Sequence, residues 1–431
     1  VEPVPAPKKV WIQDGHITRY PSVFADGSVH EGRICTDCHA GTDSVNTRAT
    51  AHVSGFTGIP VDTACAGCHN SIIGSASVGL HTTLAGYPAI LATRGYTATN
   101  ATALARFEQQ CTSCHAAVGT ASPATACGQC HVSVPKSAGG GLVNAHAFQR
   151  TPSMEKNCTA CHGSRVKDEF YGLNNALLTT NKAFLAADSP WKDAAFTLTA
   201  DVHKTAGMEC TDCHSGNEMH GQGAPTNDDR YAVTSSPSCD AVACHGDVTS
   251  SNSMHTSGHI AAMDCYVCHA QPYKNCFECH TDVTAENVAF FSISDNEPGA
   301  AHNHLMTFRA GKNPKYTVSG PHKQYSVLRH VPVDGDVFAY TGANAVTGLL
   351  PTPHAGPTWK YATPHNIVKN TKITEVCTNC HGSNYTKFWL TNAVTNAEGW
   401  VGSANQAGET TANSSLLISA PFSYTFQLKN E

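Results

Sequence analysis

The 20 cysteines fall into ten pairs, and a histidine follows the second cysteine of every pair. In chain order, Cys35 and Cys38 precede His39, Cys65 and Cys68 precede His69, and Cys111 and Cys114 precede His115. Cys127 and Cys130 precede His131, Cys158 and Cys161 precede His162, and Cys210 and Cys213 precede His214. Cys239 and Cys244 precede His245, and Cys265 and Cys268 precede His269. Cys276 and Cys279 precede His280, and Cys377 and Cys380 precede His381. Nine of the motifs read C-x-x-C-H; the one at Cys239 and Cys244 reads C-x4-C-H.

Placing ten histidines there by chance has a probability on the order of 10⁻¹². C-x-x-C-H is the attachment site of c-type haem. Residues i and i+3 share one face of a helical turn and i+4 lies beside them. Two thiols can then add to the two porphyrin vinyl groups while the imidazole reaches the iron. A four-residue spacer rotates the second cysteine off that face, so the backbone between Cys239 and Cys244 is expected to bulge.

Other uses of the thiols fit less well. A disulfide framework gives no reason for ten histidines. Structural zinc wants closed sets of four Cys, or two Cys with two His, and a His directly after the second Cys is poorly placed to close that tetrahedron. The expected cofactors are therefore ten covalent c-type haems. Their thioether cysteines are the 20 above, and their proximal iron ligands are His39, His69, His115, His131, His162, His214, His245, His269, His280 and His381.

The occupant of the second axial position decides between electron wire and enzyme. Fifteen histidines remain for ten irons, enough for bis-His ligation throughout, whereas the 6 methionines are too few. The expected distal ligands are His16, His30, His52, His81, His146, His203, His220, His255, His259, His302, His322 and His365, with His304, His330 and His354 ranked last. His255 and His259, at i and i+4, are expected to serve two adjacent haems. Residues 111–280 hold seven motifs but five spare histidines, so at least two haems there need ligands from elsewhere. The His-rich stretch 302–365 is the expected donor.

The elements that position these groups are short. Hydrophobic residues make up 41%, but aromatics only 8%, so porphyrins are expected to supply much of the interior. The fold class expected is mostly coil, with short helices organised around the chain of ten haems and a small β-rich portion towards the C-terminus. Residues 1–30 read as an extended N-terminal arm, 31–284 as a haem-rich region with nine motifs, and 285–431 as a β-rich, His-donating region with the tenth. Helices are expected at 101–115, 168–187 and 257–270, and strands at 287–294, 316–319, 325–331, 337–340 and 415–428. Asn100, Asn157, Asn384 and Asn413 head N-x-Ser/Thr sequons. The formal charge of −6, without a basic tract, argues against a nucleic-acid partner. No apolar run is long enough to span a membrane.

The ten motifs, spread from residue 35 to residue 381, give the chain a resemblance to the multihaem c-type cytochromes. In particular it resembles the secreted cytochromes of metal-respiring microbes, including those that polymerise into conductive filaments. The resemblance implies an electron-transfer protein rather than an enzyme, located outside the cell after removal of a signal peptide. Implied partners are further copies of the chain in a head-to-tail polymer, redox partner cytochromes and external acceptors such as metal oxides, electrodes or partner cells. Two alternatives share the motifs: a multihaem reductase of a small nitrogen or sulfur oxyanion, and a periplasmic redox shuttle in an outer-membrane conduit. The reductase needs an iron with an open distal position, and the C-x4-C-H site is where the sequence would put it.

Overall fold

The structure is a computed structural model and describes residues 10–11, 17–19, 37, 40, 42, 50, 62–83, 126–131, 135–136, 140–141, 150–162, 199–224, 230–241, 243–248, 254–271, 281–283, 289–291, 308–330, 359–392, 411 and 413–422. The chain divides into two compact units, one of Val1–Ile90, Ala105–Arg165 and Glu209–Pro237, the other of Leu91–Leu104, Val166–Met208 and Ser238–Glu431. Segments of the motif-rich region 31–284 enter both.

Described helices are short, except for Asp62–Ala76, which bends at its motif histidine: His69 has φ −114° and ψ 30°. In the first unit the helices are Asp62–Ala76, Leu80–Thr83, Ala126–His131, Thr159–His162, Cys210–Cys213 and Gly216–Met219. A π-helical turn, Met154–Cys158, leads into Thr159–His162. Two-stranded hairpins join β1 (Val10–Trp11) to β2 (Ile17–Arg19) and β3 (Pro135–Lys136) to β4 (Gly140–Gly141). The first hairpin falls within the stretch expected to be an extended arm. Gly221, at φ +83°, lets the backbone pass against Gly79; a Cβ there would stand 2.3 Å from the Ser75 carbonyl oxygen.

The second unit carries a folded core. After the hairpin of β5 (Thr281–Val283) and β6 (Ala289–Phe291), strands β7 (Phe308–Lys312), β8 (Tyr325–His330) and β9 (Trp359–Tyr361) form an antiparallel sheet in the order β7-β8-β9. Val267, Ala310, Val327, Ala362, Ile373, Phe388, Trp389 and Ile418 are buried together, with Cys268 and Cys380 packed against them. Leu328, Trp359, Leu390, Leu416 and Leu417 form a second cluster. Two of the C-x-x-C-H motifs thus pack a cysteine directly on an ordinary hydrophobic core.

Several local expectations are corrected. The helix expected over 257–270 is two, Ser257–Ala262 and Cys265–His269. Met263 between them turns extended (φ −101°, ψ 134°) to bridge Tyr325, and the Asp264 N–H donates to the Tyr325 carbonyl at 2.8 Å. The strand expected at 316–319 is instead the turn joining β7 to β8. Asn313 closes it, its side chain donating to the Lys323 carbonyl and accepting from the Lys315 N–H, as Asx turns do. Over 415–422, a 3-10 turn at Ser414–Leu416 replaces the expected strand. Leu416, Leu417 and Ile418 are all buried, which no half-exposed strand allows. Two sequons are closed to glycan attachment in the folded chain: Asn157 is 6% exposed, and Asn413 is fully buried, accepting from the Trp359 N–H. The expected helices at 101–115 and 168–187 and the strand at 337–340 lie outside the described residues.

Candidate functional site

Each described C-x-x-C-H motif occupies a helical turn. Three lie within helices: Cys65 and Cys68 with His69, Cys127 and Cys130 with His131, and Cys265 and Cys268 with His269. Cys158 ends the π-helical turn, and Cys161 and His162 close the helix that follows it. His214 caps the helix bounded by Cys210 and Cys213, and Cys377 caps the one that holds Cys380 and His381. In the motifs at Cys65, Cys127, Cys210 and Cys239 the first thiol is half-buried, while the second, on Cys68, Cys130, Cys213 or Cys244, is exposed. One cysteine of each such pair is therefore partly covered by the protein and the other is open to solvent.

The C-x4-C-H segment forms a wider loop, closed by the His245 N–H donating to the Cys239 carbonyl at 3.2 Å. Three motifs lie outside the described residues: Cys35 and Cys38 with His39, Cys111 and Cys114 with His115, and Cys276 and Cys279 with His280. So do His16, His30, His52, His146, His302, His304 and His354.

Five motif histidines each face a histidine from outside any motif. Ring centroids are 5.9 Å apart for His81 and His162, 6.1 Å for His131 and His220, and 6.2 Å for His203 and His245. They are 6.0 Å apart for His255 and His269, and 5.9 Å for His259 and His381. An imidazole nitrogen sits about 2 Å from a transition-metal ion, so its ring centroid lies about 3 Å away. Two imidazoles on opposite sides of one metal therefore stand about 6 Å apart. The five separations fit an iron between each pair, whereas direct ring contact would not require so uniform a gap.

Hydrogen bonds select the nitrogen that faces inward. The Nδ1 of His259 donates to the Met254 carbonyl at 2.8 Å, that of His269 to Val368 at 3.1 Å and that of His381 to Phe422 at 3.1 Å. A carbonyl only accepts, so each of these rings carries its proton on Nδ1 and leaves the Nε2 lone pair for a metal. His214 places Nδ1 within 3.1 Å of the Glu218 carboxylate, and His203 places Nδ1 3.4 Å from Asp201. Asp201 is itself buried, accepts from the backbone N–H groups of His203, Lys204 and Ile367, and so fixes the ring's base. Such outer partners orient metal-binding histidines. Burial, and then the imidazole of His131, hold His220 below the ordinary histidine range; burial does the same for His269. Both effects favour the neutral, ligating ring.

The cysteines of different motifs also meet. The Cys158 thiol contacts that of Cys210, and the Cys239 thiol that of Cys265; these contacts are the leading reason Cys158 and Cys239 are held far above the ordinary thiol range. Burial pushes Cys268 up to about 12, with Cys380 acting in the same direction. Porphyrins attached at these sites would therefore be neighbours.

His322 stands 5.7 Å from the ring of Tyr361 rather than opposite a motif histidine in any described pair, and His365 sits half-buried between Pro364 and Asn366. His330 ends β8. Among the described residues no group of three or more His, Cys, Asp or Glu surrounds a common metal point. A haem iron takes its other four ligands from the porphyrin, so two protein ligands are what it asks of the chain. The residues present fit that group. Glu218 and Asp201 contact candidate ligand histidines that the motifs alone do not pair with them; only Glu218, four residues after His214, had a sequence signal.

No helix among the described residues is long and apolar enough to cross a membrane. Comparison with protein-family models, curated proteins and solved structures finds no match.

Proposed function

We propose that the chain is an extracellular multihaem electron-transfer protein, binding ten c-type haems and passing electrons along them to external acceptors. The observation that carries this reading is the set of five histidine pairs at 5.9–6.2 Å, each joining a motif histidine to one from elsewhere in the chain. Bound haem would supply one-electron exchange between ferric and ferrous iron. The chain's part would be to hold iron between the paired histidines and so close it to substrate. Helical turns present the thiols, and Nδ1 hydrogen bonds to Met254, Val368 and Phe422 fix the ring planes. Contacts between Cys158 and Cys210, and between Cys239 and Cys265, bring successive attachment sites together, which hopping requires. The reductase alternative needs an open iron, and His203 facing His245 argues for a filled position at the C-x4-C-H site.

Mass spectrometry of the denatured protein is expected to exceed the 45.5 kDa polypeptide by ten haem masses, and electron paramagnetic resonance to show low-spin ferric iron throughout. Eight haems or fewer, stoichiometric zinc, or a stoichiometric high-spin signal would each contradict the reading. The filament and the extracellular location belong to the same proposal and rest on the resemblance. Head-to-tail contacts whose rotation does not close give open helical polymers, and His16, close behind the Pro-rich start of the sequence, is the candidate ligand offered to the next copy. Filaments in electron micrographs, lost in His16→Ala, are expected; discrete particles at high concentration would exclude the polymer.

A further inference from the structure

A carboxyl group outside the iron-binding set lies where two motifs meet. Asp264 immediately precedes Cys265 and caps the helix Cys265–His269, and the thiol of Cys265 touches that of Cys239 from the C-x4-C-H motif. The Tyr361 hydroxyl donates to Asp264 Oδ2 at 3.1 Å, from a β9 side chain that is itself buried. His322, in the turn before β8, packs edge-on against the Tyr361 ring at 5.7 Å.

The groups facing Asp264 can be named element by element. Its own helix contributes the backbone N–H groups of Cys265 and Tyr266, β9 contributes Tyr361, and the turn before β8 contributes Lys323. The Cys239 segment meets Cys265, and its Asp240 acts on the same two cysteines as Asp264 does. Tyr266 is held well above the ordinary phenol range by burial, so it stays a neutral neighbour. One cation and several hydrogen-bond donors therefore oppose burial, and burial prevails: the carboxyl is raised from 3.8 to about 6. It is poised to change charge under mild conditions, unlike an exposed aspartate.

Resting on the functional reading above, we infer that Asp264 takes up a proton when an electron reaches the haem attached at Cys265 and Cys268, coupling proton uptake to electron transfer at that point of the chain. His255 and His269 would hold that haem; one electron passed to it from an external donor would make the charge beside Asp264 one unit more negative. The added charge repels the nearby carboxylate. The carboxylate then takes one proton from solvent to form the neutral acid. Reoxidation returns the electron to an acceptor and the proton to solvent. Tyr361 is a positioning residue: its hydroxyl holds the oxygen that is to be protonated.

Redox-triggered infrared difference spectra of the haem-loaded full chain test this, with covalent haem counted by mass in every sample. Reduction near the carboxyl's own titration range is expected to raise a carboxylic-acid carbonyl band that shifts in deuterium oxide. The band should vanish in Asp264→Asn and move in Tyr361→Phe, which keeps the carboxyl and the ring packing. In potentiometry, one transition should fall in potential as pH rises through about 6 in the wild type. In Asp264→Asn that slope should be lost, with the potential held at the wild type's low-pH value because the amide imitates the neutral acid. Full haem content with the same band and the same pH dependence in all three proteins would overturn the inference while leaving electron transfer intact. Absence of covalent haem would remove the functional reading itself, and the coupling with it.

Discussion

The imidazole of His203 stands 6.2 Å from that of His245, the histidine of the only motif whose cysteines are separated by four residues. The widened loop therefore still presents its ring to a second histidine, and that ring is anchored from behind by Asp201. The spacer changes the route of the backbone between the cysteines without removing the geometry a six-coordinate iron needs.

His203→Ala is accordingly expected to convert one low-spin ferric iron to high-spin, read by electron paramagnetic resonance, and to create one site that binds carbon monoxide when reduced. Nine irons should stay as they were. A high-spin signal already present in the wild type and unchanged in the variant would contradict the pairing.

Glu218→Gln tests the outer shell at a different motif. Glu218 lies 3.1–3.2 Å from Nδ1 of His214, and this bond is the leading reason His214 is raised above its ordinary range. A carboxylate makes the ring a better donor and favours the ferric state, so the amide should raise the potential of that haem. Replacing a charge-assisted bond by a neutral one costs about 1 kcal/mol, equivalent to about 40 mV for one electron. Spectra should remain low-spin, and an unchanged potential would show that Glu218 does not tune the iron.

What can be read from the residues is the local chemistry. A helical turn needs only Cys265, Cys268 and His269 in sequence, and His255 and His259, four residues apart, face different motif histidines, His269 and His381. The identities of those partners depend on tertiary packing and are not legible. The stretch 302–365 is the donor that counting suggests for the motif-dense middle. Yet at the motif of Cys158 and Cys161 the facing histidine is His81, and the middle of the chain sends His259 towards the C-terminal motif. In the same way β8 is legible from Tyr325, Val327 and the residues between them, whereas the break at Met263 is not. It exists because β8 offers Tyr325 as a bridging partner.

Asp264 also makes stability depend on pH. Its carboxyl is raised from 3.8 to about 6 by burial, so folding favours the protonated form. That contribution is fully present below 3.8 and is lost as pH rises through about 6, amounting to about 3 kcal/mol at most. Asp264→Asn carries no such titration. In denaturant melts of the holoprotein, the variant is expected to gain on the wild type as pH rises from about 4 to about 8. A constant difference across that range would place the carboxyl in solvent.

Filling the sites changes the charge of the whole molecule. The polypeptide has a formal charge of −6. Twenty ionised propionates and ten ferric porphyrin centres would take the molecule to about −16, and full reduction to about −26. Each electron added is therefore repelled by those already present. Repulsion is strongest between neighbouring sites, such as those brought together by the Cys158–Cys210 and Cys239–Cys265 contacts. Screening by salt shortens its reach to about 8–10 Å at ordinary ionic strength, so adjacent haems should interact while distant ones titrate almost independently. The expected potentiometric curve is a broad rise, narrowing as salt is added. A single sharp Nernst wave, unchanged by ionic strength, would mean that the haems neither interact nor differ in their surroundings.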